Sequence, residues 1–76
     1  MEIGDRVRLK QPFTPTLIST QTYQFGIIAA IVSNNSQTEV LLYLYNPDTA
    51  TTYTDEFGER PTYSFRLDEI EPCKDT

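Results

Sequence analysis

The chain has 76 residues, no histidine and one cysteine, and its 11 acidic and 6 basic side chains give a net charge of −5. A chain of this length is expected to form one domain, residues 1–76, which buries about 60% of the surface of the unfolded chain. One cysteine excludes an intramolecular disulfide, and without histidine a structural zinc site is not expected. The acidic balance argues against nonspecific binding to nucleic acid.

The charges are unevenly distributed along the chain. Residues 1–10 hold three basic and two acidic side chains, residues 11–38 hold none, and residues 39–76 hold nine acidic and three basic. We expect part of the uncharged block to form core and part to face a partner. Charges precede any apolar run, which argues against a signal peptide, and the longest apolar run, residues 27–32, is too short to span a bilayer. A soluble, cytoplasmic protein with no membrane insertion is expected.

Alternation at the start of the chain predicts a first strand over residues 6–11, after a turn at Gly4 and Asp5. The apolar side chains predicted to face inward are Ile3, Val7 and Leu9. The basic side chains predicted to face outward are Arg6, Arg8 and Lys10. Pro12 has no N–H to donate to a ladder and is expected to end the strand.

Two prolines and many hydroxyl side chains predict a long loop over residues 12–25. Its large apolar side chains either fold back on the core or lie exposed: Phe13, Leu17, Ile18 and Tyr23. The apolar segments 25–33 and 38–46, separated by a turn, predict a hairpin. Its second strand is apolar on both faces, so a loop or a partner is expected to cover one of them. These faces are Val40, Leu42 and Leu44 on one side and Leu41, Tyr43 and Tyr45 on the other.

Residues 46–61 are rich in turn formers and predict a second long loop, inside which residues 49–54 could form a short extra strand. Residues 63–66 follow as a strand with Phe65 inward. Pro72 leaves no room for a helix, so residues 67–70 are expected to form a single 3₁₀-like turn. The side chains expected to plug the barrel there are Leu67 and Ile70. Those expected to point to water are Asp68, Glu69 and Glu71.

Four to five short antiparallel strands with long loops and a short 3₁₀ turn near the C-terminus predict an all-β fold, a small SH3-like barrel. A closed barrel leaves no free sheet edge, which suits a chain with so little core.

The sequence contains little that indicates an active site or a metal-binding site. Residues 48–59 have the length and the end carboxylates of a calcium loop, but Ala50, Thr52 and Tyr53 occupy positions that should hold oxygen ligands or glycine. Cys73 has no histidine to activate it, and the glycines are isolated. We therefore predict no enzyme, no metal site and no cofactor.

Two features indicate binding instead. Arg6, Arg8 and Lys10 form an outward basic stripe, which Arg66 extends if it lies on a neighbouring strand. The stripe is either a docking site for an acidic partner or a solvated face balanced by the acidic half of the chain. The many Tyr and Phe side chains either form an interface or pack the ends of the barrel.

Three segments, "GDRVRLKQP", "FGIIAAIV" and "FRLDEIEP", resemble in their order the small SH3-like barrels of oxygenic photosynthesis. These are the peripheral E subunit of photosystem I, the S subunit of the photosynthetic NADH-dehydrogenase-like complex and the variable chain of ferredoxin–thioredoxin reductase. The resemblance implies a non-catalytic module that is bound to a larger assembly. It also implies a cyanobacterial source and a place at the cytoplasmic face of thylakoid membranes. It also implies docking of acidic ferredoxin on basic residues, here Arg8 and, in a weaker match, Arg6, Lys10 and Arg66.

The first hypothesis for function is therefore a protein-interaction module, an accessory subunit or adaptor on a larger electron-transfer complex. The residues predicted to contact the protein partner are Arg6, Arg8, Lys10, Phe13, Leu17, Ile18, Tyr23 and Arg66. The alternative is a nucleic-acid-binding module of the KOW or Tudor type that uses the basic stripe and aromatic stacking. A third reading, an enzyme with an acidic site in residues 48–71, needs a concave pocket that a chain this small is not expected to offer.

Overall fold

The computed structural model describes residues 2–15 and 21–73, and within these it contains six strands and one 3₁₀ turn. In chain order they are β1 Arg6–Phe13, β2 Tyr23–Asn34, β3 Gln37–Asn46, β4 Thr51–Thr52, β5 Thr62–Arg66, the 3₁₀ turn Leu67–Glu69 and β6 Ile70–Pro72. All strand pairs are antiparallel. The predicted all-β fold is confirmed, with β4 and β6 as short additions to the four principal strands.

The strands form one sheet in the order β4-β3-β2-β1-β6, and β5 also pairs with β3. Because β3 already uses one edge for β2, both β4 and β5 lie along its other edge. The 3₁₀ turn joins β5 directly to β6, so it draws the two ends of the sheet together. Ring contacts from Phe13 at the end of β1 to Tyr63 and Phe65 on β5 complete a small SH3-like barrel.

The predicted hairpin is confirmed as β2–β3, which is joined by a two-residue turn between the paired residues Asn34 and Gln37. Asn35 adopts a left-handed backbone conformation, with φ of 38°. Asparagine tolerates this conformation better than most residues, and tight hairpin turns require it. The turn residue and the apolar alternation of the two strands therefore select the same register.

Among the described residues, the core consists of eight side chains that the barrel encloses almost completely, and the most exposed of them, Tyr23, is 8% exposed. They are Val7, Leu9, Tyr23, Ile28, Val40, Leu42, Leu44 and Ile70. Two of the three inward positions predicted for the first strand, Val7 and Leu9, are thus confirmed. The third is wrong: Ile3 is 69% exposed, because it lies in the turn before β1 and the alternation does not reach it.

Pro12 does not end the first strand, which continues to Phe13. The pairing of β1 with β2 is interrupted between Arg8 and Phe13, where four residues of β1 face one residue of β2. A proline within such a bulge removes no regular ladder hydrogen bond, which is why the strand tolerates it.

The C-terminal prediction is right for the turn and partly wrong for its side chains. Ile70 is buried as expected, but Leu67 is 45% exposed and does not plug the barrel. A three-residue 3₁₀ turn has only one side against the sheet, and the chain rejoins the core at Ile70, the first residue of β6. Residues 49–54 contribute a strand of two residues, Thr51–Thr52.

Candidate docking surface

The outward side chains of β1, β2 and β3 stand in register and form two rows across the sheet. In one row Arg8 lies opposite Phe25, which lies opposite Tyr45. In the next row Arg6 lies opposite Ile27, which lies opposite Tyr43. Side chains directly opposite each other on one face of a sheet are in contact distance. The rows therefore place two basic side chains beside a continuous aromatic and aliphatic patch.

We call this patch the outer face and define it by the five half-buried side chains that share it, Phe25, Ile27, Leu41, Tyr43 and Tyr45. On the opposite side of β3, Val40, Leu42 and Leu44 are fully enclosed. The sequence prediction that β3 is apolar on both sides is thus confirmed, and the barrel interior covers one of them. The outer face keeps part of its apolar surface accessible.

Two arginines lie against the tyrosine rings of the outer face. The Arg6 guanidinium carbon is 5.7 Å from the centre of the Tyr45 ring, and that of Arg60 is 5.4 Å from the centre of the Tyr43 ring. Each cation is attracted to the negative face of the ring beneath it. Arg60 comes from the loop before β5, so this loop brings a third positive charge to the outer face.

Arg8 also has a carboxylate neighbour. Its Nε is 3.8 Å from Oε1 of Glu71 on β6, and both side chains are about half exposed. An exposed pair at this distance contributes little to stability. Arg60 has no carboxylate within ion-pair distance among the described residues. Three of the six basic side chains of the chain, Arg6, Arg8 and Arg60, thus lie at the outer face, although the whole chain is acidic.

The structure separates the four predicted basic residues into two pairs. Arg6 and Arg8 lie beside the outer face, but Arg66 does not extend their row. It lies on β5, which pairs with β3 and not with β1, and it stands opposite Glu39. Arg66 and Lys10 instead line the same groove on another side of the barrel.

The carboxylates of the C-terminal turn, Asp68 and Glu69, are exposed, as predicted, but both contact Arg66. Nε of Arg66 is 3.4 Å from Oδ1 of Asp68 and 3.8 Å from Oε1 of Glu69. The backbone N–H of Arg66 also donates to Glu69 Oε1 over 2.9 Å. These side chains hold the turn together, and together with the pair formed by Arg8 and Glu71 they offset part of the basic stripe.

The aromatic side chains divide between packing and surface. Phe13 is half-buried, and its ring centre is 4.9 Å from that of Tyr63 and 5.5 Å from that of Phe65. Tyr23 belongs to the core, edge-on to Tyr53 at 5.7 Å. Burial raises the pKa of the Tyr23 and Tyr63 hydroxyls above the ordinary 10.0, and the nearby Tyr53 adds to both shifts.

Of the apolar residues predicted to contact a partner, the two that the structure describes, Phe13 and Tyr23, are not freely exposed. Tyr23 leaves little side chain for a partner, and Phe13 packs mainly within the barrel. Leu17 and Ile18 lie outside the described residues. Sequence reasoning missed Phe25, Ile27 and Arg60. The apolar second face of β3 was the signal for the first two, whereas the position of Arg60 depends on the path of a loop.

Hydrogen bonds from backbone N–H groups to the Asp55 carboxylate hold the acidic loop before β5 in place. Oδ1 of Asp55 accepts hydrogen bonds from the N–H groups of Phe57 and Glu59, each over 2.9 Å. In the part of the chain that the structure describes, no three acidic or thiol side chains group closely enough to hold a metal ion. The described residues also include no helix long and apolar enough to cross a membrane.

The outer face resembles a protein-binding surface in composition, because aromatic side chains and arginine are enriched at the centres of such interfaces. The resemblance to the photosynthetic barrels rests on the three short segments and stays a prediction. No protein-family model matches this chain, and neither a curated protein nor a solved structure matches it significantly.

Proposed function

We propose that this protein is a non-catalytic interaction module, an accessory subunit or adaptor that docks on a larger assembly through its outer face. The observation that carries the proposal is the second apolar side of β3, where Leu41, Tyr43 and Tyr45 remain partly accessible. An antiparallel sheet with one face on the core usually turns polar side chains to water on the other. An accessible aromatic face is an exception that binding explains.

The proposed partner presents an acidic surface. Arg6, Arg8 and Arg60 surround the aromatic centre and would meet carboxylates at the rim of the interface. Complementary charge at the rim raises the association rate and fixes orientation, whereas the aromatic centre supplies most of the affinity. Tyr43 and Tyr45 are the expected anchors, because tyrosine and arginine dominate binding energy at interfaces.

The resemblance to the photosynthetic barrels points to one such partner class. Within that family acidic ferredoxin docks on basic residues, and Arg8 occupies the matching position here. The proposal in its most specific form is an accessory subunit at the cytoplasmic face of thylakoid membranes. The net charge of −5 works against ferredoxin, so docking would depend on the local field of the three arginines.

The experiment is quantitative co-purification from the source cells with a tagged protein in three forms: wild type, the double variant Tyr43→Ser/Tyr45→Ser, and the control Phe57→Ser. Phe57 is 81% exposed in the acidic loop, so its replacement removes an accessible ring that is not among the five side chains of the outer face. Urea unfolding of each variant verifies that it is folded. We expect one protein set that wild type and Phe57→Ser retain and that the double variant loses.

Two results would refute the proposal: no specific partner on wild type, or equal retention by the double variant and the wild type. A titration with an acidic ferredoxin tests the specific form separately. Salt-sensitive binding that Arg8→Gln weakens would support it. Absence of binding would exclude ferredoxin as the partner. The general proposal of a docking module would then be decided by the co-purification alone.

A nucleic-acid module is the second candidate, because arginine and aromatic side chains share the outer face. It is the weaker candidate, since Arg6 and Arg60 already lie over the tyrosine rings on which bases would stack. Fluorescence anisotropy with short RNA at low salt decides between the two. Micromolar, salt-sensitive binding that Tyr43→Ser abolishes would favour nucleic acid.

A further inference from the structure

A groove of about 370 Å³ lies between the end of β1 and the segment that runs from β5 into the 3₁₀ turn. It lies apart from the outer face. The residues that line it are Leu9, Lys10, Gln11, Pro12, Phe13, Phe65, Arg66, Asp68 and Glu69. Its volume is at the small end of ligand sites, about 300–1,000 Å³, and suits a few residues of a peptide.

Strand edges without a strand partner form both walls of this groove. β6 pairs with β1 only at residues 7–9 and leaves into the 3₁₀ turn, whereas β1 continues to Phe13. Residues 10–12 have no partner in register on β2 or on β6. Across the groove, β5 pairs with β3 on one edge and with no other strand of the described residues. The regular free edge of β5 is a template for an added strand, whereas the bulge and Pro12 leave the β1 wall with fewer N–H donors, at Lys10 and Gln11.

The side chains of the groove define what kind of strand would fit. Leu9 is buried at its floor, and the half-buried rings of Phe13 and Phe65 stand beside it, so an apolar side chain of the ligand would find contacts. Arg66 is paired with Asp68 and Glu69, and those three charges offset one another in part. Lys10 has no carboxylate within ion-pair distance in residues 2–15 and 21–73.

We propose that this groove binds a short extended peptide segment of a partner protein by strand addition. The segment alternates apolar and acidic residues: apolar side chains contact Phe13 and Phe65, and a carboxylate meets Lys10. Main-chain hydrogen bonds to an open edge supply affinity in this mode of recognition, and alternate side chains supply specificity. Because the walls belong to β1 and β5 and not to the outer face, the site would work whether or not the outer face docks a partner.

The probes are three synthetic hexapeptides: one that alternates valine and glutamate, one that alternates valine and lysine, and the valine–glutamate peptide with N-methylated backbone amides. Each is titrated into ¹⁵N-labelled protein, and amide shifts are followed by NMR. We expect the valine–glutamate peptide to shift the amides of Lys10, Gln11, Phe13 and Phe65 and to leave those of Tyr43 and Tyr45 unchanged. The N-methylated peptide should not bind, because it lacks the ladder donors.

Charge reversal at Lys10 provides the matched variant, since an exposed side chain can change without loss of the fold. Lys10→Glu should weaken the valine–glutamate peptide by about fivefold and strengthen the valine–lysine peptide by a similar factor. Tyr43→Ser should leave both affinities unchanged. Absence of shifts at millimolar peptide, shifts confined to the outer face, or equal binding of the N-methylated peptide would each overturn the proposal.

Discussion

The two sides of β3 both carry large apolar or aromatic side chains, but they differ sharply in environment. Leu42 and Leu44 are completely enclosed, whereas Leu41, Tyr43 and Tyr45 are half-buried. The difference comes from what the neighbouring strands bring to each side. Toward the interior, β2 contributes Ile28 and the barrel closes over the row. Toward the outside, Phe25 and Ile27 stand beside arginines. An apolar strand can thus serve folding with one face and recognition with the other.

The largest effect on stability is expected for the interior row. Leu42→Ala should lower the free energy of unfolding by about 2–5 kcal/mol, because it leaves a cavity among enclosed side chains. Leu41→Ala, one residue away on the outer face, should cost less than about 1 kcal/mol. Urea unfolding of both variants measures the contrast. Equal losses would mean that the two faces are not distinguished as described.

Gly26 tests how tightly the interior is packed. A methyl group added there would stand 3.0 Å from Cδ1 of Leu42 and 3.1 Å from the carbonyl oxygen of Tyr43. Gly26→Ala should therefore lower the free energy of unfolding by about 1–3 kcal/mol. The double variant Gly26→Ala/Leu42→Val should lose less than the sum of its two single variants, since valine yields space. Strict additivity of the two losses would contradict the steric explanation.

Alkaline pH should lower the free energy of unfolding through Tyr23 and Tyr63. Burial raises the pKa of Tyr23 and Tyr63 above 10.0 in the folded protein. Above pH 10 these tyrosines ionise in the unfolded chain before they ionise in the folded one, so their contribution to stability is present below pH 10 and is lost as the pH rises through their folded pKa. Urea unfolding as a function of pH measures the loss, and Tyr63→Phe should reduce it. An unchanged alkaline slope in Tyr63→Phe would contradict this assignment.

The smallest effect on stability is expected at the rim of the outer face. Glu71→Gln removes the exposed partner of Arg8 and should change the free energy of unfolding by less than about 1 kcal/mol. It should strengthen binding of an acidic partner, because Arg8 then has one less competing carboxylate. Weaker binding after this substitution would show that the partner is not acidic at this position.

The sequence predicted the fold well wherever local pattern and tertiary contacts agree. Alternation located Val7 and Leu9 correctly, and the hairpin turn and the 3₁₀ turn followed from residue types. It failed for Ile3, Pro12 and Leu67, where a turn, a bulge and a one-sided 3₁₀ segment change the environment without changing the local pattern. The path of a bulged strand depends on its partners, which local sequence does not specify.

The candidate surface was predictable only in part. Arg6 and Arg8 were identified by their stripe, and the apolar second face of β3 indicated that something should cover it. Tertiary contacts set the register that places Phe25 opposite Arg8. They also set the path of the loop that places Arg60 over the Tyr43 ring. Lys10 and Arg66 were assigned to the same stripe, yet both line the groove: Lys10 follows the interruption of the β1–β2 pairing, and strand order places Arg66 on β5.

The central claim is that the outer face of β3 binds the protein partner. Its most direct test is the affinity of the co-purified partner for wild type, Tyr43→Ser and Phe57→Ser, measured by calorimetric titration. Loss of a central tyrosine anchor should weaken binding by about 30-fold or more, which corresponds to about 2 kcal/mol, whereas Phe57→Ser should bind like wild type. A Tyr43→Ser protein that is folded and binds the partner as tightly as wild type would contradict the account.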